Sequence, residues 1–198
     1  MSSGFVHLHT HSSYSPMWGI PTLEALCQAA RTQGQDRLAL TDTNGLYGAI
    51  RFLEVAKHEG LKPILGAELV HKAHRAVLLA KTPAGYANLC RLLSARHEES
   101  TFDFIAAVAR YRAGLIILSD DLSALRTWRK DSPKDVYVDL TPGSDIQEAI
   151  TFSRRNGLSP VATTRAACLH PTDFEAHRLL RAIADNTTLS RLRPERCC

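Results

Sequence analysis

Short apolar runs recur along the chain, separated by stretches whose apolar positions repeat every three or four residues. The runs Phe5–Leu8, Leu38–Thr41, Pro63–Glu68, Ala76–Ala80, Leu115–Ser119, Val136–Leu140 and Pro160–Thr163 predict strands. Most are near-continuous rather than alternating, the pattern of strands covered on both faces. Between them, helical spacing predicts helices over Leu23–Thr32 and Tyr47–Glu59, from Pro83 to about Arg96, from Thr101 to before Gly114, over Leu122–Arg129, from Ser144 to before Gly157, and from Thr172 to about Ile183. The boundaries carry their own signals. Gly34, Gly60 and Gly157 close helices, and Pro83 takes the favoured first helical position. Ser144 with Gln147, and Thr172 with Glu175, have capping-box spacing. Regular β–α alternation with buried strands means an α/β fold with a parallel sheet. Seven strand candidates are one short of the eight-stranded barrel, and periodicity alone leaves an open doubly wound sheet as an alternative.

The length, 198 residues, suits one domain, and no repeat, low-complexity run or Pro/Gly-rich linker divides it. Apolar residues make up 44% and charged residues 22%, which excludes a fibrous or largely disordered chain. No window approaches the roughly 18 uninterrupted apolar residues of a membrane span. The start, MSSGFVHLHTH, lacks the basic and apolar regions of a signal peptide, so a cytoplasmic location is the expectation. The net charge of +4 is unevenly placed. Residues 1–149 carry 16 basic and 16 acidic side chains, whereas 150–198 carry eight Arg and four acids. That Arg-rich segment reads either as a solvated helical face or as a surface for DNA or an acidic partner. Five cysteines without a C-x-x-C pair indicate reduced thiols rather than a disulfide framework. Cys27 and Cys90 fall in helical patterns as buried thiols, and Cys197 and Cys198 at the extreme end read as a cut edge.

Potential ligands follow the strands: His7, His9 and His11 the first, Asp42 the second, Glu68 the third, Asp120 and Asp121 the fifth. In parallel α/β folds sites are built at those strand ends. Strand period places His7 and His9 on one face, within reach of one metal ion. A hydrogen-bonded pair of strand-end histidines is the alternative. Glu68 closes a buried strand and needs a metal or a cation as partner. Asp120 and Asp121 read equally as ligands or as the N-cap of the following helix. His71 and His74 read as solvated loop residues, and His58, His97 and His177 as helix surface or packing. Dinucleotide and P-loop glycine motifs and the G-x-S-x-G elbow are absent. Basic residues are not interleaved with aromatics as on single-strand-binding surfaces.

Six blocks in order, HLHTHSSYS, LALTDTNGLYGAIRF, KPILGAEL, VLLAKTPAGYANLCRLLS, GLIILS and PVATTRAACLHPTDFEAHRLLRAI, resemble the PHP (polymerase and histidinol phosphatase) domain. The resemblance is nearest to the N-terminal PHP domain of bacterial DNA polymerase III alpha subunits of DnaE type, and the ending NTTLSRLRPERCC leans toward the error-prone branch. It implies a distorted seven-stranded (β/α) barrel spanning residues 1–193, with 194–198 starting a linker to further polymerase domains. It also implies a metal cluster at the strand ends that serves phosphoester hydrolysis in complete members. Carried over to this sequence, that site is degenerate. His7, His9 and Glu68 match ligand positions, and Asp121 stands near another. Trp18, Thr43, Arg75, Arg165 and Ala167 stand where ligands are expected.

The expectation is therefore no bound cofactor, or at most one divalent metal, zinc or manganese. Arginine cannot deprotonate to ligate, but it can neutralise a stranded carboxylate. Arg75 and Arg165 are therefore expected to pair with Glu68 and Asp121. The expected role is structural, within a polymerase whose other domains or subunits are the partners. A stand-alone phosphoesterase with a reduced site is the alternative.

Overall fold

A computed structural model describes residues 4–193. The expected linker 194–198, with Cys197 and Cys198, lies outside the described residues. Strands β1 (Arg37–Leu40), β2 (Lys62–His71), β3 (His74–Ala80), β4 (Leu115–Ser119), β5 (Val136–Leu140) and β6 (Ser159–Ala162) lie side by side in chain order. Together they make an α/β fold whose six-stranded sheet curls into a half-barrel. Helices α1 (Leu23–Thr32), α2 (Ala49–His58), α3 (Pro83–Glu98), α4 (Phe104–Tyr111), α5 (Leu122–Asp131), α6 (Ile146–Asn156) and α7 (Asp173–Ala184) fall between the strands, except that β2 runs directly into β3 and both α3 and α4 precede β4.

Two expectations are corrected. The sheet is mixed, because β3 runs antiparallel to both β2 and β4, while β1–β2, β4–β5 and β5–β6 pair in parallel. Only residues 72–73 join β2 to β3, far too few for a helical crossover, and Lys72 turns the chain at φ +54°. His71 and His74 accordingly sit at the ends of β2 and β3 rather than in a solvated loop.

The seventh strand, Phe5–Leu8, is not formed. The chain from His7 to His11 instead meets both edges of the sheet at single points. His7 O accepts from Ala39 N and Thr10 O from Thr41 N, each at 3.0 Å, on the β1 side. On the other side His11 N donates to Ala166 O at 2.8 Å and Ala166 N to His9 O at 3.0 Å. This segment is the seam that brings the edges of the half-barrel together. Each edge offers it too few consecutive partners for a ladder.

Helix starts follow side-chain caps. Thr22 accepts from Ala25 N and Thr82 from Gly85 N, as their positions predict. At α4 and α6 the caps are Asp103 and Asp145 rather than Thr101 and Ser144, so these helices begin slightly later than expected. Thr172 makes no cap bond, whereas Asp173 accepts from the backbone N–H groups of Leu169 and His170. No described helix is long and apolar enough to cross a membrane.

The larger apolar core packs α3 to α6 against β2 to β5 around fully buried Trp128, whose indole N–H donates to Ile105 O at 3.0 Å. A second core joins α1, β1 and α2 around Phe52. Ala39, Val77, Leu79 and Leu118 form a small third cluster. Buried polar side chains of the seam and of β2 and β5 gather nearby: His9, His11, Glu68 and Asp139.

Candidate functional site

His9 and His11 stand two residues apart on the seam and both are fully buried. Their Nε2 atoms are 3.2 Å apart. Glu68 reaches them from β2: Oε1 lies 3.3 Å from His9 Nε2 and Oε2 3.8 Å from His11 Nε2. Thr43 Oγ1 donates to Glu68 Oε2 at 2.9 Å, and Ser15 Oγ is 3.1 Å from His11 Nδ1. Behind His9, its Nδ1 lies 3.8 Å from Asp139 Oδ2, an ion-pair contact longer than a hydrogen bond, while Thr163 Oγ1 donates to Asp139 Oδ1 at 2.8 Å. In front, Arg165 Nε lies 3.3 Å from Glu68 Oε1. The Arg165 guanidinium also covers the ring of Trp18, 4.2 Å from its centroid.

The loop that carries Trp18 is held by Asp42, which accepts from Ser12 N, Ser12 Oγ and Ser15 Oγ at 2.7, 2.8 and 2.6 Å. The loop closes so tightly that a Cβ on Gly19 would fall 1.9 Å from Ser12 O. His177 of α7 fixes the indole from behind, its Nδ1 2.7 Å from Trp18 O and its ring edge-on at 4.9 Å.

Burial and charge set the protonation states. Burial alone would lower His9, but the carboxylates of Asp139 and Glu68 outweigh it and raise its pKa. Burial pushes His11 down to about 3; Glu68 opposes this, and the cationic His9, Arg165 and Arg75 reinforce it. Burial would raise the Glu68 carboxyl, but the facing histidines and Arg165 hold it far below the usual carboxylate range. At neutral pH His11 is therefore neutral. Two carboxylates, Glu68 and Asp139, flank His9, and the Arg165 guanidinium is the fixed cation of the group.

The structure brings together His9 and Glu68 of the expected ligands, but not His7 or Asp121. His7 Nδ1 instead meets Thr164 Oγ1 at 2.9 Å, in a cleft lined by Leu26, Gln33 and Cys168. Strand period fails at His7 because the seam is not a regular strand. Asp121 is the cap of α5, its Oδ1 accepting from Ser123 N and Ala124 N at 3.0 and 3.1 Å, and its Oδ2 lies 2.6 Å from His74 Nδ1. Arg165 pairs with Glu68 as expected, whereas Arg75 pairs with Asp120, not Asp121.

Among the described residues, the group able to hold a metal ion is His9, His11 and Glu68. Tetrahedral zinc with bonds of about 2.0–2.1 Å sets its ligand atoms about 3.3 Å apart. The two histidine nitrogens, 3.2 Å apart, match that spacing, and Glu68 offers Oε1 at 3.3 Å to His9 and Oε2 at 3.8 Å to His11, so one atom from each residue lies within 4.8 Å of the others, within reach of one ion. Trp18, Arg75, Arg165 and Ala167, at positions where the resemblance implies ligands, offer no metal-binding donor. His11 stood among the strand-end candidates but not in the expected ligand set, and Asp139 was not singled out. HLHTH contains two H-x-H pairs, and its second is the nearer to polar Ser12. Asp139 is a lone acid in the apolar run VYVDL, the same anomaly that marked Glu68.

A family model described as the PHP domain matches residues 7–141, roughly two thirds of the chain. The chain belongs to the PHP domain family. The match takes in His9, His11, Glu68 and Asp139, while Arg165 lies beyond it. The PHP chain is 31% identical over 219 residues to DNA polymerase III subunit alpha of Pasteurella multocida, covering 93% of this chain and 19% of that protein. It is 47% identical over 94 residues to an error-prone DNA polymerase of Symbiobacterium thermophilum, covering 47% of this chain and 9% of that protein. The chain thus spans about a fifth or less of the length of these relatives. Its fold matches a candidate metal-dependent phosphoesterase from Bifidobacterium adolescentis with TM-score 0.58 at 12% identity, over 85% of this chain and 90% of that one.

Proposed function

We propose that this chain is the PHP domain of a bacterial DNA polymerase III alpha-type subunit, and that it serves there as a folded module rather than a hydrolase. Similarity to alpha subunits and to an error-prone polymerase supports the setting. The observation that carries the non-hydrolytic reading is the Arg165 guanidinium seated on Glu68 Oε1. A hydrolytic site of this kind generates hydroxide and neutralises phosphate with bound cations. Here a permanent guanidinium charge already faces Glu68 Oε1, where a bound cation would otherwise sit.

At most one divalent ion, zinc or manganese, would be held by His9, His11 and Glu68. Such an ion supplies Lewis-acid polarisation when bound. Asp139 would orient His9 through Nδ1 in the manner of an outer carboxylate, and Thr43 would hold Glu68 Oε2. The protein's own contribution is structural. His9 and His11 on the seam, Glu68 on β2, Asp139 on β5 and Arg165 after β6 form one ionic cluster that ties the half-barrel shut.

In this reading residues 1–193 form the domain and 194–198 lead toward the polymerase domains, in a cytoplasmic protein. Those domains are the principal partners, and the Arg-rich stretch from α6 onward is the face offered to them or to DNA. The alternative is a stand-alone phosphoesterase with a reduced site, favoured by the fit of His9, His11 and Glu68 to one ion.

Incubation of the chain with p-nitrophenyl phosphate and its bis-ester, in manganese and separately in zinc, tests the choice. Turnover is expected to stay at the level of metal alone. Metal-dependent turnover that disappears in His9→Ala would overturn the reading in favour of the phosphoesterase.

A further inference from the structure

We propose that Arg165 is a resident cation that competes with a divalent metal for the His9–His11–Glu68 group, so that one side chain sets how tightly this domain holds an ion. The inference rests on the non-hydrolytic reading above and deepens it.

Two cations address the same oxygen. Glu68 Oε1 lies 3.3 Å from His9 Nε2 and 3.3 Å from Arg165 Nε. An ion held between His9 and Glu68 through that oxygen would meet the guanidinium there. The guanidinium is not loosely placed. It stacks 4.2 Å from the Trp18 centroid, and Trp18 is held in turn by His177 and by the Asp42-bound loop. The backbone of Arg165 is left-handed, at φ +46°. A non-glycine residue stays there only where its surroundings dictate it, and such strain gathers at sites where position matters. The aromatic face, the carboxylate and the backbone kink act together to deliver one positive charge to Glu68.

Charge adds to the geometry. The guanidinium stays positive at any working pH, so a divalent ion brought to Glu68 Oε1 meets a like charge already held there. Removal of Arg165 therefore favours the metal twice, by freeing Glu68 Oε1 and by taking away that repulsion.

The test is zinc affinity of the full chain, stripped with chelator and titrated against a chromophoric zinc chelator. Arg165→Ala and Arg165→Gln are expected to bind one zinc at least tenfold more tightly than the parent, and zinc is expected to raise their melting temperature more than the parent's. Arg165→Gln, neutral but close in reach, serves if Arg165→Ala fails to fold. Arg165→Lys keeps the charge and is expected to stay within about threefold of the parent. Adding His9→Ala to the Arg165→Gln chain is expected to abolish the gained site. Affinity within threefold of the parent in both neutral variants would overturn the inference, as would a gain that survives His9→Ala. Hydrolysis is scored separately. Unchanged affinity without turnover sinks this inference alone, whereas turnover by the zinc-loaded parent sinks the reading it rests on.

Discussion

Glu68→Ala lowers the stability of the metal-free domain by about 3–5 kcal/mol, the usual cost of removing one partner from a buried ion pair. The side chain lost is small, but the charges it leaves are not. His9 is fully buried between Glu68 and Asp139, and Arg165 is largely buried against Trp18. Without Glu68, Arg165 loses its carboxylate and His9 the nearer of its two. His9 can respond by releasing its proton, whereas Arg165 cannot. The group stranded is thus Arg165, and not Arg75, which keeps Asp120. Urea unfolding with chelator present checks this: the midpoint falls while the slope against urea is unchanged. A loss under about 1 kcal/mol would place Glu68 among weakly coupled surface charges and contradict the buried cluster. Glu68→Ala combined with Arg165→Met should recover part of the loss, because the second change removes the stranded charge.

The metal-free domain also loses stability on mild acidification, by about 2–3 kcal/mol between pH 6.5 and 4.5 through His11 alone. The unfolded His11 protonates near its ordinary value, whereas burial keeps the folded imidazole neutral down to about 3. Between those values the unfolded state binds the extra proton, so stability falls as pH falls. His7 and His71 are also lowered by burial and act in the same direction. His9 acts oppositely, because its folded pKa is raised. Its contribution is complete below the ordinary histidine value and is lost as pH rises through the folded value. Glu68 is held ionised, so its contribution is present above the ordinary carboxylate value and declines only below it. The acid limb between pH 6.5 and 4.5 is therefore the one that His11 sets. Comparing parent and His11→Gln by urea unfolding across pH isolates the His11 share: the variant's acid limb should be shallower over pH 6.5–4.5. Parallel limbs in the two proteins would mean that His11 is not buried neutral.

Six of the seven strands were legible because their apolar runs are continuous and bounded by glycine, proline or polar residues. Phe5–Leu8 has the same local pattern, yet it lies on the seam, where bonds come singly from β1 and from Ala166. Nothing local to that sequence distinguishes a seam from a strand. The antiparallel β3 was missed because the pattern of a buried run is the same in either direction. The information lay in the link, residues 72–73, which no crossover helix could fill.

At the site, Glu68 was legible because a carboxylate inside an apolar run demands a partner. The same rule applied to VYVDL points to Asp139. The choice of His7 over His11 rested on a strand period that the seam does not obey. Asp121 read equally as a ligand or as a cap, and it takes the cap role at α5, where it also meets His74. The pairing of Arg165 with Glu68 was foreseeable from charge alone, since an arginine at a ligand position next to a buried carboxylate has one obvious use. Its seat on Trp18 was not, because residues so far apart in sequence meet only once the half-barrel has closed.

With the Arg165 guanidinium facing Glu68, the His9–His11–Glu68 group is expected to hold one ion at most. Elemental mass spectrometry tests it most directly, on the chain expressed with added zinc and manganese and purified without chelator. The account predicts no more than one zinc or manganese per chain, lost on gel filtration in mild chelator. Two or more tightly held ions per chain would contradict it.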